Sequence, residues 1–242
     1  MSILVVAAHA DDEVLGCGGT LLQYVDNKDD NKDNNKDNNK DEGASVDTYL
    51  LVMADGVTSR NLEAEASEED IEKREGICVQ VGLRLFRERP IFLRLPDNSM
   101  DKLPLLSVVR MVEEIVECIQ PTTIFTHYEH DLNADHRVTY QAVVTACRPF
   151  KFPAVRQIYS FEVPSSTELA SVPFKPDTFA DIEKKTLTEK VQLFRMYVGE
   201  DENSPARSGN SLESLAHYRG TQSGCLYAEA FKTVRRCGIS VP

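Results

Sequence analysis

The sequence predicts an α/β fold: a Rossmann-like, mainly parallel sheet with helices on both faces, running into a helical C-terminal part. Three observations carry that prediction. Short apolar or β-branched runs alternate with longer stretches whose apolar residues recur at helical spacing, the pattern of successive βαβ units. Two of the runs lead directly into loops rich in His and Asp, which suits strands whose carboxyl ends share one edge of a sheet. At 242 residues and 41% hydrophobic, the chain can bury the core of one such domain, spanning residues 1–242.

In chain order, Ile3 to Ala8 reads as the first strand and Val14 to Val25 as the first helix. The tract 26–43 that follows is almost entirely Asp, Asn and Lys. It has nothing apolar to offset the cost of ordering it, so it reads as a disordered, dispensable insertion in a helix-to-strand connection. Val46 to Met53 is the second strand, Glu68 to Val81 a helix and Ile91 to Leu95 the third strand. Leu105 to Ile119 is helical and bracketed by Pro104 and Pro121. Thr122 to Thr126 is the fourth strand, Asp135 to Cys147 a helix and Arg156 to Val163 the fifth strand. Beyond Val163 no strand is expected. Asp181 to Tyr197, Ser211 to Arg219 and Tyr227 to Arg236 all read as helices.

Composition excludes several functions. A net charge of −12 argues against nucleic acid, whose binding needs clustered Lys and Arg. No apolar stretch approaches the roughly 20 residues of a membrane span, and the N-terminus lacks a secretory layout, so a soluble, cytoplasmic protein is expected. The six cysteines are scattered without a CxxC pair, which fits reduced thiols rather than a zinc ribbon or disulfide framework.

The chemistry concentrates in two loops. His9-Ala10-Asp11-Asp12-Glu13 follows the first strand, and His127-Tyr128-Glu129-His130-Asp131-Leu132-Asn133-Ala134-Asp135-His136 follows the fourth. Four of the five histidines lie in these segments. Capping and solvation account for either loop alone, since Asp is a preferred helix N-cap. Together they predict one divalent-metal site, built from His and carboxylate ligands with a position left open for water. A neighbouring carboxylate that does not ligate can take the water's proton, and Asp11 beside Asp12 suits that division. The glycines of Gly16-Cys17-Gly18-Gly19 sit too far into the helix, behind too many carboxylates, for a dinucleotide fingerprint; they predict close helix-to-sheet packing instead.

These motifs resemble the PIG-L/LmbE family of zinc-dependent N-deacetylases. His9-Ala10-Asp11-Asp12-Glu13 is similar to its AHPDDE signature, with Ala10 in place of proline, and Asn133-Ala134-Asp135-His136 to its second ligand segment. Asp55-Gly56-Val57-Thr58-Ser59-Arg60, Phe161 to Thr167 and Tyr227 to Phe231 extend the likeness along nearly the whole chain apart from the insertion. The resemblance implies that His9, Asp12 and His136 bind Zn2+, or another divalent transition metal such as Fe2+, and that Asp11 is the general base. It implies an N-deacetylase that hydrolyses an amino-sugar-containing small molecule or glycoconjugate to acetate and a free amine.

Some relatives carry His where this chain has Asn133, which can donate a hydrogen bond but cannot deliver a proton. The general acid is therefore open among Asp11 returning its proton, His130 and His127. Arg60, Arg74 and Arg207 are candidate clamps for a substrate hydroxyl or anion, with Arg60 favoured, and Asp55 and Asp97 are candidate substrate contacts. Alternatives are an amidase or deacylase acting on a non-sugar amide, and a catalytically weak metal-binding member. A homo-oligomer is left open.

Overall fold

The computed structural model describes residues 1–33, 46–59, 67–198 and 204–238. Five strands, β1 (Ser2–Ala7), β2 (Asp47–Ala54), β3 (Ile91–Leu95), β4 (Thr123–Thr126) and β5 (Gln157–Phe161), run parallel. β7 (Ala228–Arg236) pairs antiparallel with β5, and β6 (Thr178–Asp181) pairs antiparallel with β7, giving the order β3-β2-β1-β4-β5-β7-β6. The helices are α1 (Asp12–Asp33), α2 (Glu68–Leu85), α3 (Leu105–Ile119), α4 (Ala134–Ala146), α5 (Lys184–Val198) and α6 (Gly209–Ser223).

β1 is central, and its alternation divides the core between two faces. Ile3, Val5 and Ala7 pack with Val14 and Leu15 of α1, Cys78 and Val81 of α2 and Phe194 of α5. Leu4 and Val6 pack with Val108, Val112 and Val116 of α3 and Ala142 and Val143 of α4. A parallel strand covered on both faces reads as a continuous apolar run, which is why Ile3 to Ala8 is legible. The expected close packing is present at Gly16, where a Cβ would lie 2.3 Å from the Phe161 ring of β5.

The chain passes from β1 to β2 and β3 on one side, then crosses back to place β4 and β5 on the other. The order reverses between β1 and β4, and in open α/β sheets the crevice beyond the carboxyl ends at such a point is where ligands bind. Both His/Asp loops open there.

The C-terminal part departs from expectation. Tyr227 to Arg236 was expected to be helical, and instead Ala228–Arg236 is the strand β7, with β6 preceding it where none was expected. Ala, Glu, Lys and Arg favour a helix locally, but pairing with β5 on one side and β6 on the other satisfies this backbone non-locally and overrides propensity. The first helix also runs past Val25 to Asp33, into the tract 26–43 expected to be a disordered insertion; the tract beyond Asp33 lies outside the described residues.

Candidate metal and catalytic site

His9 leaves the end of β1, Asp12 opens α1, and His136 lies in the first turn of α4, whose N-cap is Asn133. The three side chains are buried and converge, with one ligand atom from each lying within 4.8 Å of the others. His9 Nδ1 is 3.3 Å from Asp12 Oδ2, and His136 Nε2 is 3.4 Å from the same oxygen. Donors bonded at about 2.0–2.1 Å around a tetrahedral ion stand about 3.3–3.4 Å apart, so this spacing and N/O donor set fit zinc or a similar ion.

The opposite nitrogen of each imidazole is backed by carboxylate. His136 Nδ1 meets Asp131 Oδ1 at 3.1 Å, while His9 Nε2 meets Asp135 Oδ2 at 3.1 Å and Asp97 Oδ1 at 3.0 Å. Such partners fix the tautomer, leaving His9 Nδ1 and His136 Nε2 as the free donors facing Asp12. Asp135 is itself fixed by the backbone N–H groups of Asn98 (2.6 Å) and Met100 (3.1 Å). Asp131 also accepts from Ser166, Thr167 and the Asn133 backbone. Burial alone would lower both imidazole pKa values, yet the surrounding carboxylates raise them above the usual histidine range. A site that favours protons on two buried histidines is electrostatically suited to a cation.

Asp11 stands beside this trio. Its backbone has a φ of +125°, a region that residues other than glycine rarely occupy and that costs of order 1–3 kcal/mol. The strain is held from three directions. The Asp11 N–H donates to Glu13 Oε2 at 2.9 Å, and its Oδ2 accepts from Arg74 Nη2 at 2.9 Å and Arg207 Nη2 at 2.6 Å. Arg74, which also donates to Ala10 O at 2.5 Å, and Arg207 thus grip Asp11 rather than standing ready as isolated substrate clamps. Glu13 is fully buried, and burial pushes its carboxyl up to about 7 despite the Tyr197 hydroxyl at 2.6 Å.

The remaining candidates separate. Asp97 is buried in the site; burial opposes its ionisation, but His9 and Ser59 hold it down to about 2. Asp55 is spent on a turn, accepting from the N–H groups of Val57 and Thr58. Arg60 lies outside the described residues. Asn133 accepts the Asp135 N–H at 2.8 Å as the cap of α4 and donates to Asn98 Oδ1 at 3.2 Å. His130 is exposed and neighbours Glu129, away from the trio.

His127 is the histidine that the fourth strand delivers inward. Its ring stacks on His136 at 3.9 Å, and its Nε2 accepts the Ala8 N–H at 2.8 Å. That bond places the proton on Nδ1, which has no partner among the described residues, and burial together with His136 lowers its pKa well below the ordinary value. His127 is therefore a neutral packing ring. Asp131, Asp135 and Glu13 were not singled out in the sequence. All lie inside the two motif segments, and only their contacts reveal what each one holds.

Comparison with known proteins agrees with this architecture. The PIG-L family model, described as GlcNAc-PI de-N-acetylase, matches residues 38–147, a span that holds the His127 to His136 loop. The uncharacterized deacetylase YaiS of Escherichia coli K12 is 22% identical over 200 residues, covering 81% of this chain and 89% of that protein. The N,N'-diacetylchitobiose deacetylase of Pyrococcus horikoshii superposes with a TM-score of 0.70 at 19% identity, over 97% of this chain and 84% of that one. GalB, the 4-carboxy-2-hydroxymuconate hydratase of Pseudomonas putida KT2440, superposes equally well, at 0.70 and 18% identity over 100% and 99% of the two chains. The fold thus hosts more than one reaction, and only the site can choose between them.

Proposed function

We propose, from the premise that this chain belongs to the PIG-L/LmbE family, that it is a metal-dependent N-deacetylase acting on an amino-sugar-containing small molecule or glycoconjugate. His9, Asp12 and His136 would hold the ion, with zinc preferred and ferrous iron the alternative, because the set is two imidazoles and one carboxylate. When bound, such an ion supplies Lewis acidity toward a carbonyl and lowers the pKa of water toward about 7.

The chain's own groups do the rest. Asp11 is the general base: Arg74 and Arg207 hold Oδ2, no described group meets Oδ1, and that oxygen is left to take a proton from the attacking water. The amide C–N bond breaks as the C–O bond forms, and Asp11 returns the proton to the departing amine. This assignment removes the need for His127 or His130, since the first is locked by Ala8 and the second faces solvent.

The observation that carries the reading is the strained, doubly clamped Asp11 set beside three convergent metal-type donors. Its test is an Asp11→Asn variant assayed on a panel of N-acetylated amino sugars, with metal content measured alongside. We expect metal retained and turnover reduced about 10²–10⁴-fold, the usual contribution of a positioned base. A variant as active as the parent would remove Asp11 from the mechanism.

A further inference from the structure

Asp11 sits at a φ of +125°, and a strained backbone persists only where its surroundings over-determine it. The peptide unit that joins Ala10 to Asp11 is held at both poles. Its N–H, that of Asp11, donates to Glu13 Oε2 at 2.9 Å, and its oxygen, that of Ala10, accepts from Arg74 Nη2 at 2.5 Å. Because φ is the rotation between this plane and the Asp11 Cα, pinning the plane also sets where the Asp11 carboxylate points. Glu13, however, stands only two residues on in the same segment. Its bond fixes Asp11 in space only if the Glu13 carboxyl is itself anchored elsewhere.

Tyr197 supplies the anchor. From the last turn of α5, 184 residues along the chain, its hydroxyl donates to Glu13 Oε1 at 2.6 Å. The same side chain meets the other pole's holder. The Arg74 guanidinium carbon lies 5.8 Å from the centroid of the Tyr197 ring, a cation–π distance, and Arg74 goes on to Asp11 Oδ2 at 2.9 Å. Glu13 on α1, Arg74 on α2 and Tyr197 on α5 thus close a buried loop of contacts around one strained residue. A hydroxyl that served packing alone could take any acceptor. This one is spent on the acid that holds the Asp11 N–H.

We propose that Tyr197 is a positioning residue for amide hydrolysis: by holding Glu13 and Arg74 it pins the Ala10–Asp11 peptide plane and keeps Asp11 Oδ1 aimed at the attacking water. The proposal rests on the reading of Asp11 as general base and adds to it a residue from a separate helix.

The experiment measures Tyr197→Phe, which keeps the ring and removes the hydroxyl, beside the parent on N-acetylglucosamine and other N-acetylated amino sugars, both as metal-loaded full-length protein. We expect kcat to fall about 10–100-fold, with KM and metal content per chain within about twofold of the parent. In an Asp11→Asn background the same substitution should change the residual rate less than about twofold, because the two residues act as one unit. A second pair reads the Glu13 arm without touching the packing of α5. Glu13→Gln keeps a partner on each side, and its kcat should stand at least about fivefold above that of Glu13→Ala. Parental kcat in Tyr197→Phe, a loss of the same size with and without Asp11, or equal kcat in the two Glu13 variants overturns the positioning role and leaves the deacetylase reading standing. A parent protein that holds its metal and hydrolyses none of the substrates overturns both.

Discussion

Asp131 Oδ1 meets His136 Nδ1 at 3.1 Å, and this contact aims His136 Nε2 at Asp12. The carboxylate is itself held, because Ser166, Thr167 and the Asn133 N–H all bond to it. Its hydrogen bonds outweigh burial and hold its pKa below the carboxylate range. Removing it should loosen the ligand without removing it. Asp131→Ala is expected to weaken metal binding about 10–100-fold, read by competition with a chromogenic chelator, with Asp131→Asn recovering part of the loss. Affinity unchanged in the Ala variant would separate Asp131 from the site.

Glu13 ties stability to pH. Its carboxyl is raised from 4.5 to about 7 by burial, so between these values the folded state keeps a proton that the unfolded state has lost. The stability linked to this group is complete below about 4.5 and is lost as pH rises through about 7, a span worth about 3 kcal/mol. Glu13→Gln mimics the protonated acid, offering a carbonyl to the Asp11 N–H and an amide N–H to Tyr197. Urea midpoints at pH 5.5 and 8 should differ less in this variant than in the parent, and the variant should be the more stable protein at pH 8. Equal pH dependence in both would contradict the assignment.

The two nearby glycines should respond oppositely to alanine. A Cβ on Gly16 meets the buried Phe161 ring at 2.3 Å, so Gly16→Ala is expected to cost about 1–3 kcal/mol by overpacking. At Gly18 the nearest neighbour is Val14 Cγ1 at 3.4 Å, an ordinary contact, and alanine should gain up to about 1 kcal/mol of helix propensity. Thermal unfolding of the pair checks the difference in sign.

His127 and His130 offer a cleaner contrast. His130→Ala removes an exposed ring and should change kcat less than twofold. His127→Leu leaves the buried Ala8 N–H without its acceptor and should cost about 1–3 kcal/mol in a denaturant titration. A His130 variant that lost activity while keeping its metal would reinstate that residue as the proton donor.

What the sequence makes legible follows from how local each signal is. Strands β1, β4 and β5 are buried along almost their whole length and read as apolar or β-branched runs, and the site is legible because two of these runs lead into loops of His and Asp. β7 is not, because Ala228 to Arg236 becomes a strand only when β5 and β6 lie beside it. Within the site, the choice between His127 and His130 turns on which way successive residues face after β4, and three positions separate a buried ring from a solvated one. Asp131 and Asp135 stand in the same segment as His136, yet their value lies in contacts with Thr167, Asn98 and Met100 far along the chain. Arg74 and Arg207 appear as unattached cations in the sequence; folding spends both on Asp11.

Metal content per chain, measured by elemental analysis on the purified protein beside a His9→Ala/His136→Ala double variant, tests the central claim most directly. The site geometry predicts close to one zinc or iron ion per parent chain and none retained by the variant. A parent protein that binds no divalent metal after zinc loading, or a double variant that binds as much as the parent, would contradict it.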